Sequence, residues 1–307
     1  MTECERLIAN GTFTRDFFKP EVRCDFLVTE ERKKIWAIEL DLLGQFDLLC
    51  KSAGLRYFLV EGSLLGAVRH KGFIPWDDDI DIGMFRSDYE KLKLLKDSFA
   101  EPYFLQIPGA AEGFAFSFMK LRNTQTTAVS KAFAFESFNQ GLAIDIFPFD
   151  DVVLDKGKEV FSEINLLNID NSTCMRMSNP YLGDGDRRRV DACTRKDIGK
   201  NLHEIDALAR SFEGQECDGV GMLTNTIYSY ERHTFKKEDF ASFKQVEFEG
   251  LDVPIPCGFD RVLRTVYGEY MTLPEPSQRG GWHDSVAFDA DIPYQEYLAR
   301  YREGCHG

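Results

Sequence analysis

At 307 residues, with 43% hydrophobic and 29% charged side chains, the chain is long enough for one large domain or two small ones and has an ordinary globular balance. Its formal net charge of −14 argues against a nucleic-acid partner, which would need clustered Lys and Arg, but leaves room for a nucleotide whose phosphates a cation neutralises locally. The N-terminus lacks the basic-then-apolar order of a signal peptide, and no run approaches the roughly 18–20 apolar residues of a membrane helix. The eight cysteines are scattered without a CxxC pair or zinc-finger spacing, so reduced thiols and a cytoplasmic location are expected. Phe is abundant at 26 residues, which suggests an aromatic core and a surface suited to a greasy acceptor.

Residues 1–28 carry little periodicity and read as a segment wrapping the surface. Thr29-Glu30-Glu31 is a helix start, a hydroxyl N-cap followed by acids that suit the positive helix end. Ile35, Ile38, Leu42, Phe46 and Leu49 follow at helical spacing until Gly54 ends the run. Arg56–Val60 reads as a buried strand, Ser63–Arg69 as a short helix, and Asp79–Met84 as a second strand. Ser87 with Glu90 predicts a capping box for a helix whose inner stripe is Tyr89, Leu92, Leu95 and Phe99. Further strands are expected at Tyr103–Ile107, Phe114–Leu121, Thr126–Phe135 and Leu142–Pro148.

Helices interleaved with hairpin-spaced strands predict an α/β or α+β fold with a mixed sheet flanked by helices. The surface segment 1–28 would precede a catalytic core over 29–152, with helical and C-terminal elements over 153–307 packed on it. The polar middle, about 155–235, should be largely helical, with a loop over Asn179–Arg189, and the Pro- and aromatic-rich tail should be loop-rich.

The chemistry concentrates in Trp76-Asp77-Asp78-Asp79-Ile80-Asp81-Ile82. Carboxylates packed so closely repel one another, and a hard divalent cation offsets that repulsion through oxygen ligands. On a strand, Asp79 and Asp81 share one face while Ile80 and Ile82 share the other, an apolar back to a carboxylate front. An EF-hand loop begun at Asp77 fails, because Ile82 falls where glycine is required and Asp88 where a Glu is expected. Asp77 and Asp78 are read as loop-capping supports. A solvated turn is the bland alternative, which Ile80, Ile82 and Trp76 argue against. Upstream, Gly62 allows close backbone approach, and Ser63 with the following helix start can donate to phosphate oxygens. Asp145, isolated among apolar neighbours, can complete a metal site or take a proton from an attacking hydroxyl. That division of labour suits in-line phosphoryl displacement.

From Val60 to Ile82 the chain closely resembles the LicD family, also called the fukutin-like group, a branch of the nucleotidyltransferase superfamily. Phe118–Arg122 with Thr126-Thr127, Ile144–Pro148 and Tyr267–Pro274 extend the likeness, which is dense over about 35–152, thin in the middle and partial over 248–298. The resemblance implies a nucleotidyltransferase-like fold and metal-dependent transfer of a phosphorylated alcohol, typically phosphocholine from CDP-choline. The acceptor would be a hydroxyl of a surface glycan or glycolipid precursor, as in modification of lipopolysaccharide or teichoic acid, and the leaving group CMP. It also implies that Asp79 and Asp81 are the metal pair for Mg²⁺ or Mn²⁺, with Asp145 the third carboxylate and Gly62-Ser63 the phosphate loop. Lys120 and Arg122 are candidates for the donor phosphates, and Arg69 and His70 for the same task.

His283 and Asp284 could reach the site from the C-terminal part, and Trp76 could face a choline headgroup. Arg187–Arg189 reads as a solvated face. Two alternatives stay open: a nucleotidyltransferase releasing pyrophosphate from an NTP, and an inactive homologue serving as a binding module. Membrane contact, with no anchor visible, would be peripheral at the inner face.

Overall fold

A computed structural model describes residues 1–109, 113–280 and 286–304. The N-terminal segment is more regular than expected, forming helix α1 (Glu3–Ala9) and the hairpin β1 (Glu21–Arg23) and β2 (Phe26–Val28). Thr2 and Glu5 close a capping box on α1, and Cys4 and Leu7 enter the main core. The long helix α2 (Glu30–Ala53) has the predicted ends: Thr29 accepts from the Arg32 amide, and Gly54 closes it in the left-handed conformation. Strand β3 (Phe58–Leu59) is shorter than expected, helix α3 (Glu61–His70) follows it, and β4 (Asp81–Phe85) begins after the acidic turn.

Helix α4 (Arg86–Leu94) starts without a side-chain cap. Ser87 lies inside it and Glu90 bonds Arg86 and Lys93, so the expected capping box does not form. The cause is Arg86, whose guanidinium is committed to Asp150 and draws the helix start forward. Strands β5 (Tyr103–Gln106), β6 (Met119–Asn123), β7 (Thr127–Ser130) and β8 (Ala143–Val152) complete the central region. Phe114 and Ala115, expected at the head of a strand, instead form a satellite cluster with Phe138 and Met175.

The middle is helical as read, with α5 (Gly157–Cys174), α6 (Asp184–Ala192) and α7 (Ile198–Ala209). The loop expected over 179–189 gives way to α6, whose first turn carries Asp184 and Asp186 against the positive helix end. Phe161, Ile164, Leu167, Ile205 and Phe212 bury one another in a core separate from the main one. Next come β9 (Gly219–Gly221), α8 (Tyr230–His233), β10 (Thr234–Lys236), and the hairpin β11 (Phe243–Phe248) with β12 (Leu251–Pro256). Helix α9 (Phe259–Tyr267), strand β13 (Val286–Asp289) and helix α10 (Tyr294–Gly304) end the described chain. The tail is thus less loop-rich than its prolines suggest. Pro254 and Pro256 sit in a two-stranded hairpin, where a residue with no N–H can face a free edge.

Strand β8 is the hub of the seven-stranded mixed sheet. It runs parallel to β4 with Asp145 opposite Asp81, and antiparallel to β6 with Asp145 opposite Lys120. Its far end pairs with β9, and β3 lies antiparallel on β4. Ile80, Ile82, Ile144 and Ile146 are fully buried beneath this register and fix the acidic side chains by their own burial. The turn at Glu249 and Gly250, both at positive φ, closes the last hairpin, and the Glu249 amide donates to Lys71 O.

Arg86 grips Asp150 of β8 at 2.7 and 2.8 Å and reaches Asp206 of α7 at 3.0 Å, tying the helical region to the hub strand. Asp150 is 1% exposed, so loss of its partner strands a buried charge. Arg86→Met should cost about 3–5 kcal/mol in urea unfolding. Arg86→Met with Asp150→Leu should recover most of that, which separates lost pairing from lost packing.

Candidate active site

The acidic turn is mounted on α2. Arg32 Nη1 and Trp36 Nε1 both donate to the Asp77 carbonyl, at 2.7 and 3.0 Å, and Arg32 also approaches Asp78 Oδ2 at 3.5 Å. Asp77, Asp78 and Asp79 each bring a carboxylate oxygen to within 4.8 Å of the others, an all-oxygen set suited to a hard divalent cation. Asp79 precedes β4 rather than lying in it, yet the alternation persists: Ile80 and Ile82 are fully buried while Asp79 and Asp81 are partly open.

Ser63 does not cap α3. Its hydroxyl accepts from the Asp81 amide at 2.8 Å, joining the helix start to the strand start. Gly62 is required by a close approach, since a Cβ there would sit 2.7 Å from Asp77 Oδ2. The first-turn amides of α3 therefore open beside the carboxylates, where they can meet an anion. On the other side Lys120 Nζ donates to Asp145 Oδ2 at 2.7 Å and lies over the Phe116 and Phe118 rings.

The remaining candidates divide. Arg69 lines the same cleft, donating to Tyr270 O at 2.6 Å and to His70 Nε2 at 2.9 Å. Arg122 is buried at the cleft wall, bonded to Gln106 and to Gly141 O, and burial pulls its guanidinium down to about 10. His70 turns away from the cleft toward Cys24 and Trp76, and burial, then Arg69, lowers it to about 4, so it accepts as a neutral ring. The Trp76 ring already carries Arg279 at 5.2 Å. His283 and Asp284 lie outside the described residues. The seven described cysteines are free thiols.

Two carboxylates missed in the sequence complete the arrangement. Glu39 of α2 is 1% exposed and lines the cleft, with Oε2 unbonded among the described residues. Its sequence signal was a charge within the apolar face that Trp36 and Leu43 define. Glu61, at φ +47, opens α3 in the left-handed region, accepts from Tyr267 Oη at 3.4 Å, and lies 3.3 Å from His233 Nε2 outside hydrogen-bond geometry. Nothing in the sequence marked it, because its contacts come from distant elements.

Desolvation, then the charges of Asp79 and Asp145, raises Asp81 well above the usual carboxylate range. Desolvation, then Asp79, does the same to Asp77, and desolvation, then Asp79 and Asp78, to Glu39. These groups border an open cleft of about 1520 Å³. From the acids it runs along Phe116, Phe118, Phe133 and Phe147 toward Asn168 and Arg176 of α5 and the next turn, with Tyr267 to Pro274 along its rim. The volume exceeds the roughly 300–1,000 Å³ of an ordinary small-molecule pocket.

Residues 54–168 match the LicD/FKTN/FKRP nucleotidyltransferase domain. The chain carries a LicD-family domain. Over 261 residues, 81% of this chain and 94% of the relative, it is 25% identical to the lipopolysaccharide cholinephosphotransferase LicD of Haemophilus influenzae. It is 48% identical over 46 residues, 15% of this chain and 9% of the relative, to the human ribitol 5-phosphate transferase FKRP. An uncharacterized Rickettsia prowazekii protein matches at 44% over 55 residues, 18% of this chain and 20% of that one. The LicD domain contains the acidic turn, α3, Lys120 and Asp145, while Glu39 lies before it and the Tyr267 to Pro274 rim after it. No helix among the described residues is long and apolar enough to cross a membrane.

The raised carboxyls set a pH dependence. Protonated in the folded state at pH values where the unfolded chain has ionised, they favour folding at low pH, and that contribution fades as pH rises through the raised values. In EDTA, Asp81→Asn should melt above the parent at pH 8, with the gap closing toward pH 5. A variant that melts below the parent at pH 8 contradicts the electrostatics.

Proposed function

We propose that the protein transfers a phosphorylated alcohol, phosphocholine from CDP-choline in the first instance, onto a glycan hydroxyl and releases CMP. The observation that carries the reading is the meeting of Asp81, Asp145 and Lys120 in register at the start of α3, within a chain spanning 94% of a lipopolysaccharide cholinephosphotransferase. The acceptor oxygen attacks the phosphorus bearing the alcohol, the bond to the bridging oxygen of CMP breaks, and the acceptor proton passes to the Asp145 carboxylate. Lys120, with two of its hydrogens on Asp145, has a third to offer a phosphate oxygen. Gly62 leaves room for close approach, and the α3 amides stabilise the non-bridging oxygens.

Asp79 and Asp81 would hold a Mg²⁺ or Mn²⁺ ion, with Asp145 as the third carboxylate. The oxygens of Glu39 and Glu61 that are unbonded among the described residues, with the raised carboxyls, fit a site built to receive positive charge. When bound, such an ion neutralises the diphosphate and polarises its P–O bonds. The aromatic wall and Asn168 beyond it leave space for a sugar acceptor stacked on Phe side chains. Access to a membrane-linked glycan precursor would be peripheral, from the cytoplasmic face.

A donor screen scored by leaving group tests this reading. CDP-choline with Mn²⁺ should yield CMP, with CDP-ethanolamine, CDP-glycerol and CDP-ribitol slower, and NTPs should yield no pyrophosphate. Asp81→Asn should keep the fold and abolish CMP release, and activity within about tenfold of the parent, roughly 1.4 kcal/mol in barrier, would sink its role.

A further inference from the structure

Glu39 is the least expected charge in the molecule. Helix α2 presents Arg32, Trp36 and Glu39 along one face, and the first two hold the Asp77 carbonyl. The third places a carboxylate, 1% exposed, at the back of the same acidic turn. Its Oε2 has no hydrogen-bond partner among the described residues, and it lines the cleft with Asp77, Asp78, Asp79 and Asp81. Stability gives no reason for this, because an apolar side chain here would extend the buried stripe at no electrostatic cost. A buried carboxylate with one oxygen unbonded among the described residues, sharing a cleft wall with other carboxylates, is explained by positive charge or its water arriving between them.

We infer that Glu39 is an outer carboxylate of the cation site, accepting from water carried by a divalent ion held at Asp79 and its neighbours. It stands on α2, apart from the turn and strands that carry the proposed ligands, and it is not one of the three carboxylates whose oxygens gather within 4.8 Å. Outer partners of this kind orient the ligands and tune the ion. The inference rests on the reading that the site takes a divalent cation, and extends the site onto a helix outside the matched domain.

The competing explanation is a Glu39 that keeps its proton and serves only as a neutral core group. Gln mimics that neutral acid, so Glu39→Gln separates the two. Mn²⁺ titration of the full-length chain, read by calorimetry and by the electron paramagnetic resonance of free Mn²⁺, should show affinity weakened about ten- to a hundredfold in Glu39→Gln. The metal-free variant should melt no lower than the parent. Equal Mn²⁺ affinity in parent and variant overturns the inference while leaving a metal-dependent site intact. Absence of Mn²⁺ uptake by the parent overturns both. If the Gln variant does not fold, Glu39→Asp carries the test, since it keeps the charge but withdraws it by one methylene. Weakened uptake then supports the role, and unchanged uptake refutes it.

Discussion

Carboxylates repel, and this fold holds several of them at one corner of its sheet. Glu39 comes from α2, Glu61 from the start of α3, Asp77 to Asp79 from the turn, Asp81 from β4 and Asp145 from β8. Several are held through backbone contacts that leave most of the repulsion in place. The Asp77 carbonyl is held by Arg32 and Trp36, the Asp81 amide by Ser63, and Asp145 by its register with Asp81. Hydrophobic burial of Ile80, Ile82, Ile144 and Ile146 supplies the free energy that keeps the charges together. Lys120 reaches into the corner and bonds Asp145, and Arg32 approaches Asp78 from α2.

The periphery serves the same corner. Arg69 of α3 donates to Tyr270 O and Tyr267 bonds Glu61, so the segment after α9 closes one rim of the cleft. Glu249, at the last hairpin, bonds Arg23 and the Phe73 amide and steadies the loop between α3 and the acidic turn. Helices α5 and α6 form the far end, where Arg176 lies over Phe133. The cleft thus has a charged end built mainly by the LicD-family domain, with Glu39 added from α2, and a larger aromatic and polar end finished by elements outside that domain.

Much of the site was legible because its signals are local. Alternation placed Ile80 and Ile82 in the core and Asp79 and Asp81 toward the opening, and Thr29 and Gly54 marked the ends of α2. Local signals failed wherever a distant partner overrode them. The Ser87 and Glu90 pair had the composition of a capping box, but Arg86 binds Asp150 far along the chain and starts the helix early. Pro254 and Pro256 looked like loop residues until their hairpin supplied a free edge. His70 sat beside a phosphate-binding motif, yet its ring faces Cys24 and Trp76 and does not line the cleft. Glu39 and Glu61 owe their significance to tertiary contacts, and only the charge within an apolar helix face hinted at the first.

In the proposed reaction this corner binds a divalent cation together with the diphosphate of an activated alcohol. Crystals soaked with Mn²⁺ and CDP, measured at the manganese absorption edge, address it most directly. An anomalous peak is expected within coordination distance of Asp79, with the diphosphate between that peak, the start of α3 and Lys120. A peak elsewhere in the chain, or a diphosphate bound away from these carboxylates, would contradict it.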